Sequence, residues 1–289
     1  MQHLFEKYAH KQPASEGTWS NFLGTVTDCS NLDYGHHVSG QCLESMPIPN
    51  DGVHGTDTEY AAILEAIDNS LKHGRRGFTM AEFGAGWGPW ISNAGVVAKR
   101  SDFDHIRLVG IEADEARYQT MEEHFTRNNL SGDPRITSRL FFGAIWHEKT
   151  TLNFPKAHLH DFGAAASTST TEYRCNGLEM AEVPTWTMEE CVGDLGTIDL
   201  MHWDIQGAEA TLAEHTRYFL NKRVRSLHIG THSRAIEGRL FTLLDDMGWY
   251  ILRETPCQMY HNRDALCLEN MNTLDGEIYA RNPALWDRY

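Results

Sequence analysis

Apolar residues recur along this chain in two alternating rhythms. From Asp57 onward, Tyr60, Ile63, Leu64, Ile67 and Leu71 fall at the i, i+3, i+4, i+7 spacing of a helix with one apolar face, and Gly74 supplies a stop. Short, nearly continuous apolar runs at 77–81, 106–111, 136–145, 197–203 and 224–229 have the length and composition of buried strands. Between them, helical faces are marked by Trp90, Ala94, Val97 and Ala98, by Tyr118, Met121 and Phe125, and by Ala208, Leu212, His215 and Phe219. Ile236, Leu240, Leu243, Leu244 and Met247 form the clearest helical stripe, closed by Gly248. Residues 249–254 and 265–269 are predicted to form a terminal strand pair. Single helices between strands buried on both faces predict an α/β fold: a doubly wound, mostly parallel, Rossmann-like sheet of seven strands with right-handed crossovers.

Two stretches break the rhythm. Residues 1–56 carry scattered glycines, prolines and aromatics, and predict an irregular N-terminal arm or cap ahead of one domain over 57–289. Tyr8, Trp19, Phe22 and Tyr34 in this arm either stack on a ligand or dock the arm. Residues 147–184 include Gly163-Ala164-Ala165-Ala166-Ser167-Thr168-Ser169-Thr170-Thr171, side chains too small for a core. This excursion is either a lid over a substrate or a surface loop.

Charge and composition narrow the partners. The 289 residues carry 25 Lys and Arg against 40 Asp and Glu, a formal charge of −15. That balance disfavours nucleic acid and anionic membranes. Six cysteines include no C-x-x-C pair, no apolar stretch approaches the ~20 residues of a membrane span, and the N-terminal MQHLFEKYAHKQ lacks the apolar core of a signal peptide. A soluble protein of a reducing cytoplasm is the expectation. Oligomeric state stays open.

The candidate chemistry begins at Glu82-Phe83-Gly84-Ala85-Gly86-Trp87-Gly88, which closes the first strand run. Glycines at such a turn let the backbone approach a ligand at the N-terminus of the next helix. A dinucleotide fingerprint has G-x-G-x-x-G, but its third glycine position holds Pro89 here, and the pattern is E-x-G-x-G-x-G. That form resembles motif I of class I S-adenosylmethionine-dependent methyltransferases. Glu112, at the end of the second strand run and followed by Ala113, can accept both ribose hydroxyls of an adenosine. Gly143 and Ala144 end the third strand as either a platform for adenine or an ordinary buried strand end.

A second motif follows the fourth strand. Asp204-Ile205-Gln206-Gly207-Ala208-Glu209 resembles the D-x-E-G-x-E motif of the FkbM-type methyltransferases, with Gln206 in place of a glutamate, and 183–190 match a strand leading to a short helix. The resemblance runs from about residue 78 to 254. It implies S-adenosylmethionine as cofactor, held by Glu82, Gly84, Ala85, Gly86, Gly88, Glu112, Ala113, Gly143, Ala144 and Asp204, with Asp204 beside the transferred methyl group. Asp204 alternatively caps the next helix. His232, after the fifth strand, is the candidate general base, since an unperturbed imidazole is mostly neutral at cellular pH. His228, within that strand, reads as packed or hydrogen-bonded.

For metal binding, His158-Leu159-His160-Asp161 and His202-Trp203-Asp204 offer mixed pairs without further ligands, so no metal is expected. The expected activity is O-methylation of a small-molecule or carbohydrate hydroxyl. A nicotinamide-dependent oxidoreductase and a catalytically silent binding module are the alternatives.

Overall fold

The computed structural model describes residues 1–32, 35–43, 55–156, 164–166, 179–265 and 271–286. The arm contributes helix α1 (Gln2–Tyr8) and a small antiparallel pair, β1 (Thr18–Ser20) and β2 (Val26–Asp28). Helix α2 (Asp57–Lys72) begins at a capping box, in which Thr56 Oγ1 accepts from the Glu59 amide and Glu59 accepts from that of Thr56. Next come β3 (Gly77–Phe83), α3 (Pro89–Arg100), β4 (His105–Glu112), α4 (Glu115–Arg127) and β5 (Ile136–Phe142). Three short strands, β6 (Ala144–Ile145), β7 (Thr151–Pro155) and β8 (Met180–Trp186), form a separate sheet, followed by α5 (Met188–Val192). The chain then returns through β9 (Leu200–Trp203), α6 (Glu209–Arg223), β10 (Ser226–Thr231), α7 (Arg234–Asp246) and β11 (Tyr250–Thr255). The pair β12 (Gln258–Met259) and β13 (Asn272–Leu274) precedes β14 (Gly276–Arg281) and α8 (Pro283–Trp286).

The central sheet has seven strands in the order β11-β14-β10-β9-β3-β4-β5. All its neighbours pair in parallel except β14, which runs antiparallel to both β10 and β11. Alternation along the strands feeds two cores. Phe78, Met80, Ile106, Leu108 and Leu200 pack toward α2 and α3, whereas Ala81, Phe83, Val109, Met201 and Trp203 pack toward α6 and α7. The chain leaves β3 for β4 on one side and later fills the other side with β9, so strand order reverses between β3 and β9. A crevice opens there at the carboxyl ends of the strands.

Several expectations need correction. The partner of β11 is residues 276–281, where Ile278, Tyr279 and Ala280 are fully buried because β14 sits inside the sheet. Residues 266–270 lie outside the described chain, and Ala265 belongs to no strand. The run 136–145 is two strands, broken at Gly143, whose φ of 137° and close approach to the Pro184 carbonyl turn β6 onto β8. The buried face of α6 is Ala210, Leu212, Ala213 and Leu220, so His215 is exposed. The fourth strand is shorter than 197–203 and starts at Leu200.

The arm is part of this structure. Phe5, Phe22 and Leu23 are buried in the same core as Tyr60 and Ile91. Polar bonds fix the arm on α4 and the residue that caps it: the Val26 amide donates to Asn128 Oδ1 at 2.9 Å, Asn128 Nδ2 donates back to the Val26 carbonyl at 2.9 Å, and Arg127 pairs with Asp28 at 2.7 Å.

Candidate functional site

The crevice holds a cavity of about 240 Å³ whose walls bring together both sequence motifs. Glycine conformation shapes its floor. Gly84 has φ 73°, and a Cβ there would lie 1.9 Å from the Asp204 carbonyl oxygen, so the loops after β3 and β9 touch only because Gly84 has no side chain. Gly86 has φ 56° with nothing within 4 Å of a Cβ position, which leaves open space on the cavity side. Gly88 differs from both. It does not line the cavity; it is the N-cap of α3 at φ 71°, and a Cβ would press on Met121 of α4 at 2.9 Å. Its task is packing, the role of the last glycine in a nucleotide-binding turn.

Glu82 and Glu112 are both buried cavity-wall carboxylates. Glu82 Oε2 accepts the Ile91 amide at 2.7 Å, capping an α3 terminus whose N-cap glycine has no side chain to do so. Burial pushes the Glu82 carboxyl well above its usual range, reinforced by Glu59 and Asp204 and opposed by the amides of Ile91 and Trp90. Glu112 Oε2 accepts the Gly86 amide at 2.6 Å and Oε1 accepts the Asp114 amide at 2.7 Å. Burial pushes Glu112 up to about 7 despite those two bonds. Each oxygen keeps a second lone pair for a ligand hydroxyl.

Ala85, Ala113, Gly143 and Ala144 also line the cavity, as does Asp204. Asp204 does not cap α6, whose N-cap is Ala208; Glu209 instead accepts the Gly207 amide through both oxygens, at 3.0 and 3.1 Å. The Asp204 side chain is 44 % accessible toward the cavity. Burial pushes its carboxyl up, but the His232 contact outweighs it and holds the group below its usual range. Gln206 adopts φ 52° and donates to Asp204 Oδ1 at 2.8 Å. A glutamate in this position would repel Asp204, so glutamine supports the charged carboxylate.

His232 is placed differently from expectation. It is buried outside the cavity wall, with Nδ1 2.9 Å from Glu209 Oε1 and Nε2 3.1 Å from Asp204 Oδ1. Burial favours its neutral form, but Glu209 and Asp204 prevail and raise its pKa well above the ordinary imidazole value. Two carboxylates beside the ring favour its charged form, which cannot accept a proton, so this geometry speaks against a general base.

The sequence does not predict three contributions as parts of a cofactor cavity, although His202 stands in a mixed pair with Asp204. Asn21, Thr25 and Thr27 of the arm line the cavity together with Trp19. His124 of α4 joins arm to glycine loop: Nδ1 lies 3.1 Å from the Trp87 carbonyl and Nε2 3.2 Å from Thr27 Oγ1. Burial pushes His124 down to about 4, so the ring is neutral, donating from Nδ1 and accepting at Nε2. The third is His202, on β9, which lines the cavity beside Trp90. From the excursion, Leu152, Phe154, Ala164 and Ala166 reach the wall, consistent with a covering role.

Trp19 meets the cavity, whereas Phe22 belongs to the core and Tyr8 is half-buried against Asp68. Tyr34 and residues 158–161 lie outside the described chain. Among the described residues, no three His, Cys, Asp or Glu side chains are grouped to hold a metal ion, and no helix is long and apolar enough to cross a membrane.

No protein-family model matches this chain. A protein of Jannaschia sp. (strain CCS1) named "Putative methyltransferase" is 29% identical over 297 residues, covering 96% of this chain and 96% of that protein. Among solved structures, precorrin-6y C5,15-methyltransferase from Geobacter metallireducens GS-15 aligns with TM-score 0.43 and 9% identity over 81% of this chain and 91% of its own. The C-terminal domain of precorrin-6Y C5,15-methyltransferase from Rhodobacter capsulatus aligns with TM-score 0.42 and 14% identity, over 80% and 91%. The full-length sequence likeness supports methyltransferase activity and extends through the arm as well as the sheet.

Proposed function

We propose that this protein is an S-adenosylmethionine-dependent methyltransferase of the FkbM type, acting on a hydroxyl group of a small molecule or carbohydrate. One observation carries the cofactor assignment: Glu112 is fixed by the Gly86 and Asp114 amides beside a glycine whose side-chain space is open to the cavity. That cradle fits a ribose next to a tight backbone turn. Glu82 would face the sulfonium end of the methionine portion and Gly84, Ala85 and Gly86 the turn beside the ribose, with Ala113, Gly143 and Ala144 beside the base and Asp204 near the reacting end. Gly88 supports the loop from behind. The cofactor supplies a methyl group on an electrophilic sulfonium.

The chain's own contribution is placement and charge. Asp204, kept ionised by His232 and Gln206, presents a fixed negative charge where a cation or a polar O–H is to be held. Alignment of acceptor oxygen with methyl carbon and sulfur is the dominant service, an effect worth roughly 7–11 kcal/mol in favourable cases. Trp19, Asn21, Thr25 and Thr27 of the arm and Leu152 and Phe154 of β7 add to the cavity wall. The acidic wall and the chain charge of −15 support an uncharged hydroxyl acceptor over a polyanion.

Calorimetry with S-adenosylhomocysteine, with NADH as competitor, tests the cofactor assignment. Micromolar or tighter binding unaffected by NADH is expected, followed by transfer of labelled methyl from S-adenosylmethionine to members of a hydroxyl-bearing acceptor panel. Preference for NADH would overturn the assignment, and methylation confined to amines or carbon acceptors would overturn the hydroxyl reading.

A further inference from the structure

One row of side chains crosses the sheet on its α2/α3 face: Glu82 of β3 is the register partner of His202 on β9, and His202 that of His228 on β10. His202 lines the cavity, is only 4 % exposed, and neither of its ring nitrogens has a hydrogen-bond partner. A buried imidazole without partners is costly unless a ligand supplies them. Two carboxylates flank the ring, with Glu59 Oε1 3.5 Å from Nε2 and Glu82 Oε1 3.9 Å from Nδ1. Behind it, His228 stacks in parallel at 5.0 Å and is held by Glu277 at 3.2 Å.

The groups facing Glu82 are therefore Glu59 from α2, the first amides of α3, His202 from β9 and Asp204 beyond it. Among the described residues, the ion-pair partner of Glu82 is His202 and not a lysine or arginine. Burial beside Glu59 and Asp204 favours a proton on Glu82, and a cationic ligand group beside it would take over that proton's electrostatic task.

We propose that Glu82 and His202 form a charge-reading subsite, in which a ligand cation seated beside His202 displaces the proton of Glu82, so that a sulfonium donor binds with more proton release than its thioether product. The O–H bond of the carboxyl breaks, its electron pair stays on the carboxylate oxygen, and the proton passes to solvent. The subsite thereby distinguishes S-adenosylmethionine from S-adenosylhomocysteine by the one formal charge in which they differ. It rests on the cofactor assignment above. Glu112 also titrates near neutrality, but it faces a part that both ligands share, so the difference between them cancels its contribution.

The test is calorimetry of both ligands at pH 7 in two buffers of different ionisation enthalpy, which yields the protons released per ligand bound. The expected result is a larger release for S-adenosylmethionine in the native protein and loss of that difference in Glu82→Gln, with both ligands still bound. Glutamine retains an oxygen for the Ile91 amide; if that variant does not fold, His202→Asn is expected to shrink the difference likewise. Equal release for the two ligands in the native protein overturns the subsite while leaving the cofactor assignment intact. Binding of neither ligand overturns both.

Discussion

Replacing Glu112 by glutamine probes how the cavity recognises an adenosine. In the free protein the carboxyl, pushed up to about 7 by burial, is close to half ionised at neutral pH. Ribose hydroxyls donate best to the charged form, so apparent affinity follows the ionised fraction. That fraction is roughly 10% at pH 6 and 90% at pH 8, which predicts S-adenosylhomocysteine binding about tenfold tighter at pH 8 than at pH 6. Stability of the free protein has the opposite sign. A raised carboxyl pKa stabilises the fold fully below about 4.5, the unfolded value, and this contribution is lost as pH rises through about 7. Glutamine cannot ionise, and its single carbonyl oxygen cannot serve both the Gly86 and Asp114 amides as well as a ligand. Loss of charge-assisted bonds of roughly 1.5–3 kcal/mol corresponds to about 10- to 100-fold weaker binding at pH 8 and a flat profile from pH 6 to 8. Calorimetry across that range is the assay. A native affinity independent of pH, or a variant within twofold of native at pH 8, would refute the role of Glu112.

Two glycines in one motif should fail in different ways. Gly84→Ala places a methyl 1.9 Å from the Asp204 carbonyl and is expected to cost about 3 kcal/mol or more in urea unfolding, whereas Gly86→Ala meets open space and should cost only the left-handed backbone penalty of roughly 1–2 kcal/mol while weakening S-adenosylhomocysteine binding at least tenfold. Equal stability losses, or undiminished ligand binding in Gly86→Ala, would contradict this division. His124, pushed down to about 4 from an unfolded value of 6.5, contributes stability that is full above pH 6.5 and is lost as pH falls toward 4. The shift amounts to about 3 kcal/mol, so urea midpoints between pH 7 and 4.5 should fall more in the native protein than in His124→Gln. Parallel midpoints would show that His124 does not govern the arm's attachment to α4.

Local pattern determined much of this protein. Strand and helix faces repeat with periods set by backbone geometry, so Phe78, Met80, Ile106 and the stripe from Ile236 to Leu244 announced themselves. Glu82, Gly84 and Gly86 stood out because a carboxylate and missing side chains recur at fixed places on one strand–turn–helix unit, and Glu112 because it ends the next strand run. Asp204 was legible through its own motif, although its partners were not. Tertiary structure alone decided what crosses between elements. His232 is a candidate base by chain position, yet Glu209 and Asp204, brought around it by folding, raise its pKa and favour its charged form. Gly88 belongs to the motif, yet Met121 of another helix decides that it packs rather than lines the cavity. The strand at residues 276–281, the arm's place on the cavity and the row Glu82, His202 and His228 depend on sheet order and register between segments far apart in the chain. A side chain's type fixes what chemistry it can do, but its protonation and its neighbours are set by desolvation and charge contacts that exist only after distant segments have packed.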